Sequence, residues 1–121
     1  MQHVLSDTYD ILQPDVTLGD IGITGTRKIA DFAASYGKTI VPHVCGLGSF
    51  AFNFHAMLHA VAAVENCPLI EYPYDPPILT DESQQMILKE PVTLASDGTV
   101  SPPDRPGIGV EIDEEVWARF A

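Results

Sequence analysis

Positive charge is scarce in this chain. Six lysines and arginines stand against 17 aspartates and glutamates, for a formal net charge of −11. Nucleic-acid binding needs a basic face that displaces counterions from phosphates, so this balance argues against it. It argues equally against an anionic membrane surface. Long apolar runs are missing too, whereas a transmembrane helix needs about eighteen apolar residues in succession. The opening MQHVLSDTYD has no basic stretch leading into an apolar core, so it does not read as a secretory leader. The two cysteines, Cys45 and Cys67, are too few and too far apart to frame a disulfide scaffold. A reduced, cytoplasmic setting is the expectation. Apolar residues are plentiful, at 45% of 121 residues, which suffices for the core of one domain.

Strands and helices alternate along the first two thirds. Asp10-Ile11-Leu12-Gln13 reads as a short buried strand stopped by Pro14. Thr24 is a candidate cap for a helix whose Ile29, Phe32, Ala33 and Tyr36 recur at helical spacing, with Gly37 as its stop. Thr39-Ile40-Val41 is a second strand. Ser49 is the next candidate cap, before a helix lined by Phe50, Phe54, Met57, Leu58 and Val61 that ends near Asn66 and Pro68. PLIEYP, residues 68–73, reads as a third strand. Strands separated by helices pair in parallel, so the fold class is α/β. Beyond Pro73 the character changes. Thr80 can cap a short helix with Asp81 and Glu82 in its first turn, where the helix dipole favours anions. VTLASDGTVSPP reads as a β-hairpin turning at Asp97-Gly98. A terminal helix capped by Asp113 is expected to pack through Val116, Trp117 and Phe120.

The three strands end in ionisable residues at one period. Asp15 and His43 are 28 positions apart, and so are His43 and Glu71. In parallel α/β folds the carboxyl ends of the strands open onto the ligand crevice, so all three belong on one rim. An aspartate beside the imidazole can accept a hydrogen bond from one ring nitrogen and fix the tautomer. The other nitrogen is then available as general acid or base. Glu71 would serve as a second acid or a hydrogen-bond donor.

DILQPDVT, GITGTRKIADFAASYGKTIVPH, LHAVAAVENCPLIEYP and DGTVSPPDRPGIGVEIDEE, in that order, resemble the C-terminal third of the mandelate racemase/muconate lactonizing enzyme branch of the enolase superfamily. The resemblance runs from about Thr8 to Phe120. It implies the C-terminal segment of a (β/α) TIM-type barrel. About three parallel βα units over 1–73 would be followed over 74–121 by a closing segment of short helix, hairpin and helix, including the Pro106-Gly107-Ile108-Gly109 tail. It implies abstraction of the proton alpha to a carboxylate, with Mg²⁺ stabilising the enediolate. Asp15 and His43 match the acid/base dyad of that branch, and Glu71 in IEYP matches the glutamate that hydrogen-bonds the substrate carboxylate. An acid-sugar dehydratase, with His43 protonating the departing hydroxyl, is the activity most readily implied. A 2-hydroxy-acid racemase or epimerase is the alternative.

Two departures stand out. The turn after Asp15, LGDIGIT, is one residue longer than the family's and carries Asp20, which bears on loop shape and substrate preference. The family's metal carboxylates and its Lys-x-Lys base sit on earlier strands. Here Lys28 falls on a helix, Lys38 at the start of a strand and Lys89 in the tail. Magnesium ligands are therefore expected in an upstream part, and the chain reads as one piece of a larger enzyme. By itself it would be inactive, its open strand edge covered by the remaining barrel and capping domain or by a copy of itself.

Weaker signals have plainer readings. His55 and His59 lie four apart but have no acidic or cysteine partner on their face, so they read as helix residues covering the barrel. Cys45 reads as an inert turn thiol. Gly46 to Ser49 form a capped turn rather than a phosphate loop.

Overall fold

The computed structural model describes residues 5–44 and 50–120. Strand β1 (Ile11–Leu12) pairs in parallel with β2 (Thr39–Ile40), in the register Ile11 to Thr39 and Leu12 to Ile40. Proline sets how far the ladder runs. Continued by two residues, the register calls for a bond from the N–H of residue 14 to the Val41 carbonyl, and Pro14 has no N–H. Donation from the other strand continues. Val41 N–H reaches the Leu12 carbonyl at 2.9 Å and His43 N–H reaches the Pro14 carbonyl at 3.0 Å. Those two bonds carry the pairing up to Asp15 and His43, which face each other across the strand ends.

A 3-10 turn (Leu18–Asp20) leads directly into helix α1 (Gly22–Ala34). Thr24 therefore lies inside the helix and does not cap it. Gly19 and Gly22 sit at φ 67° and 59°, which spares any side chain the left-handed penalty. The residues α1 buries are Thr26, Ala30 and Ala33. This small-residue stripe lets the helix lie close over the sheet, whereas the predicted inward face was bulkier. Ile29 and Phe32 are half-buried, and Tyr36 stays exposed with its ring 5.1 Å from that of Phe32. Gly37 closes the helix as expected. It is left-handed, and Lys38 N–H bonds back to the Ala33 carbonyl at 2.9 Å.

Helix α2 (Phe50–Val61) carries the larger core. Phe50, Phe54, Met57 and Leu58 pack with Val16, Val44 and Val92, and a smaller cluster of Ala30, Ala33 and Ile40 fills the space under α1. Val61 touches both clusters. The helix ends before Asn66, whose side-chain amide donates to the carbonyls of Ala30 (3.0 Å) and Lys38 (3.1 Å). The proposed cap Ser49 lies outside the described residues.

The third expected strand, residues 68–73, runs without a ladder. Ile40 N–H bonds the Asn66 carbonyl at 2.9 Å. The next two bonds of a parallel ladder would be donated by residues 68 and 42, and both are prolines. Side-chain packing holds this segment instead: Ile70 and Tyr72 lie against the larger core, with Tyr72 edge-on to Phe54 at 5.4 Å.

The C-terminal segment seals α2. Helix α3 (Asp81–Gln85) has the predicted Thr80 cap, with Thr80 Oγ1 accepting from Ser83 N–H while Ser83 Oγ accepts from Thr80 N–H. The expected hairpin reduces to a turn: Ala95 N–H bonds the Thr99 carbonyl at 2.8 Å and no strand forms on either side. Gly109 sits at φ 73°, and a Cβ there would come within 2.3 Å of the Pro103 ring. Helix α4 (Glu114–Trp117) is capped by Asp113, as expected. Its predicted packing face differs. Trp117 is 46% and Phe120 66% exposed, because α4 is held by backbone bonds beside the Leu88–Ile112 bridge. Among the described residues no helix is long and apolar enough to cross a membrane.

Candidate active site

Asp15 stands at the exit of β1 and is buried, at 6% exposure. Both of its oxygens are used. Oδ1 accepts from the Thr17 amide (2.7 Å), the Thr17 hydroxyl (2.7 Å) and the Leu18 amide (3.3 Å). Oδ2 meets His43 Nδ1 at 2.8 Å. Burial by itself would push this carboxyl up. The Thr17, His43 and Leu18 bonds outweigh it and hold the pKa below the usual aspartate value. An ionised carboxylate only accepts, so Nδ1 carries the hydrogen. Any proton that the imidazole exchanges with a substrate then passes through Nε2. The His43 side chain is 42% exposed, which leaves the ring reachable.

Glu71 comes to the same end of the sheet by a different tether. Its Oε2 accepts from the Val44 amide at 2.9 Å, one residue after His43. The structure thus brings the three predicted residues together, two in direct contact and the third through the neighbouring backbone. Thr17 and Asn53 were not predicted. Asn53 Nδ2 donates to Thr17 Oγ1 at 3.2 Å, so a line of hydrogen bonds runs from α2 through Thr17 and Asp15 to His43. The Asp-x-Thr spacing is a side-chain-to-backbone turn signal that was legible for Thr17. Nothing in the local sequence points to Asn53.

The carboxylates of the site do not make a magnesium centre. Mg²⁺ needs oxygen ligands in near-octahedral array, whereas both Asp15 oxygens and one Glu71 oxygen are already bonded to protein donors. Among the described residues no group of three or more His, Cys, Asp or Glu could hold a metal. His55 is fully buried, and burial lowers its pKa, which keeps it neutral. Lys38 pairs with Asp7 and Asp10, and Lys89 with Glu111, away from the dyad. Cys67 is a free thiol whose pKa burial pushes up. Cys45 and the Gly46 to Ser49 turn lie outside the described residues.

Parallel strands joined by a helix, with an aspartate–histidine pair at their carboxyl ends, make an α/β segment with a candidate acid/base site. The family model described as enolase C-terminal domain-like matches residues 1–116. The chain belongs to the mandelate racemase/muconate lactonizing enzyme family of the enolase superfamily, and its fold is a C-terminal barrel segment. It is 36% identical over 98% of its length to D-galactarolactone cycloisomerase of Agrobacterium fabrum, covering 31% of that protein. It is 33% identical over 91% of its length to L-rhamnonate dehydratase of Saccharopolyspora erythraea, covering 26%. Among solved structures, a racemase from Streptomyces coelicolor with bound magnesium superposes with a TM-score of 0.70 at 28% identity, over 96% of this chain and 27% of that one. The chain thus spans between a quarter and a third of the length of these relatives.

Proposed function

We propose that this chain forms the acid/base end of a magnesium-dependent enolase-superfamily enzyme that dehydrates an acid sugar. The observation that carries the reading is the His43–Asp15 pair: Nδ1 held at 2.8 Å by a buried carboxylate, with the ring open to solvent. Acting as base, His43 Nε2 takes the proton alpha to the substrate carboxylate, and the Asp15 anion stabilises the imidazolium. Acting as acid, it returns a proton to the departing hydroxyl, which leaves as water, and the enol tautomerises to a 2-keto acid. Glu71 hydrogen-bonds the substrate carboxylate. The relative named L-rhamnonate dehydratase supports dehydration. Carboxylates outside the described residues would hold magnesium, which would supply stabilisation of negative charge on the substrate. The β1 edge, where Ile11 is 54% exposed, is where we place the remaining barrel or, without it, a second copy of the chain.

Racemisation is the second reading, supported by the likeness to the Streptomyces coelicolor racemase. Incubating sugar acids in D₂O with a polypeptide that carries this chain together with the rest of a barrel separates the two. A 2-keto product means dehydration, whereas deuterium at the alpha carbon without one means racemisation. Turnover that survives His43→Ala refutes both.

A further inference from the structure

The Asp15 carboxylate is held asymmetrically. Three donors converge on Oδ1, and His43 alone, among the described residues, meets Oδ2. Two of the three are backbone amides, which only proline would remove. The third is the Thr17 hydroxyl, and its hydrogen can be placed by elimination. Asn53 Nδ2 is a donor only, so Thr17 Oγ1 accepts there and turns its own hydrogen to Asp15. The 2.7 Å distance fits a bond to a charged acceptor. Serial bonds of this kind polarise one another, so the Asn53 contact strengthens the Thr17 one.

The consequence lies at the imidazole. A carboxylate free to rotate would offer either oxygen, at varying angles, to either ring nitrogen. One pinned at Oδ1 offers a single lone-pair direction to Nδ1–H. We propose that Thr17, backed by Asn53, is a positioning residue that locks the Asp15 carboxylate with Oδ2 toward His43 and thereby sets the Nδ1–H tautomer that presents Nε2 to the substrate. This rests on the dyad reading of His43. It adds that helix α2, which carries Asn53, takes part in orienting the acid/base group.

The test is the ¹⁵N spectrum of the His43 imidazole in the full 121-residue chain at about pH 9, where an unperturbed imidazole is neutral. The two ring nitrogens then report the tautomer directly. The parent chain is expected to be predominantly Nδ1–H. Thr17→Val should give a mixture of tautomers, with the two ¹⁵N shifts moving toward each other. Thr17→Ser, which keeps the hydroxyl, should restore the parent spectrum. A merely structural role for the threonine methyl would give the opposite order. Asn53→Leu should shift the resonances in the direction of Thr17→Val by a smaller amount, and it supplies the readout should the valine variant fold poorly. An unchanged Nδ1–H spectrum in both Thr17→Val and Asn53→Leu overturns the positioning role and leaves the dyad standing. A parent spectrum dominated by Nε2–H overturns the dyad itself.

Discussion

His43 and Asp15 meet at 2.8 Å across 28 residues of chain, the imidazole reachable and the carboxylate 6% exposed. This pairing of an open group with a closed one divides the labour. In the proposed function the histidine exchanges protons, and the aspartate holds its ring and stabilises the charge that forms on it. Removing either should therefore cost turnover unequally. In the complete enzyme, His43→Ala should lower kcat by at least the 10²- to 10⁴-fold typical of a general acid or base. Asp15→Asn, which keeps the shape but loses the charge, should cost less than the alanine variant while leaving KM nearly unchanged. Steady-state kinetics on both variants checks the order, and a reversed order would assign the proton transfer to Asp15.

Asp15 also ties stability to pH. Its folded pKa lies below the ordinary value of 3.8, because the bonds to Thr17, His43 and Leu18 outweigh the effect of burial. A depressed folded pKa stabilises the native state at every pH above the unfolded value. That contribution is lost as pH falls through the folded pKa. Acid unfolding followed by circular dichroism should show Asp15→Asn losing less stability than the parent chain on descending below about pH 4. Equal acid sensitivity in the two would mean that the carboxylate gains nothing from its donors.

The strands that carry the site were legible because their signals are local: a short apolar run, a stopping proline and an ionisable residue at a repeated interval of 28. The same prolines hid the limits of the sheet. Pro14, Pro42 and Pro68 each mark a strand boundary in one dimension, but their missing N–H groups matter across strands, in a register that no single segment shows. Thr24 resembled a cap because Ser and Thr favour that position. The turn at Leu18–Asp20 runs into the helix at a left-handed Gly22, so Thr24 already lies inside the helix and is not the non-helical residue a cap must be. Asn53 was invisible for another reason: it meets Thr17 from 36 residues away.

Metal content gives a third check. Both Asp15 oxygens and one of the two Glu71 oxygens at this rim are bonded to protein donors. Isothermal titration of the 121-residue chain with Mg²⁺ should show no stoichiometric binding, and the same titration on a protein with the whole barrel should show one site. Tight one-to-one binding by this chain would place ligands within it and overturn that assignment.

The last prediction concerns how the C-terminal segment is fastened. Gln85 is 1% exposed, and its side-chain amide pairs with the backbone of Val92 in both directions: Nε2 donates to the carbonyl at 2.7 Å and Oε1 accepts from the amide at 2.9 Å. The glutamine replaces a neighbouring strand, supplying one donor and one acceptor where no ladder exists. Val92 in turn belongs to the core around Phe50, Phe54 and Met57. Gln85→Leu fills the volume but leaves both Val92 groups buried without partners. At about 1–3 kcal/mol for each stranded group, the loss should total roughly 2–6 kcal/mol. In a chain of this size that lowers Tm by on the order of 10 °C. Gln85→Glu keeps the acceptor but removes the donor, and at neutral pH it also buries a charge, so it should be at least as destabilising. Thermal unfolding of the two variants beside the parent measures both effects. A leucine variant within about 0.5 kcal/mol of the parent, the range of an ordinary surface substitution, would show that packing alone holds the segment on α2.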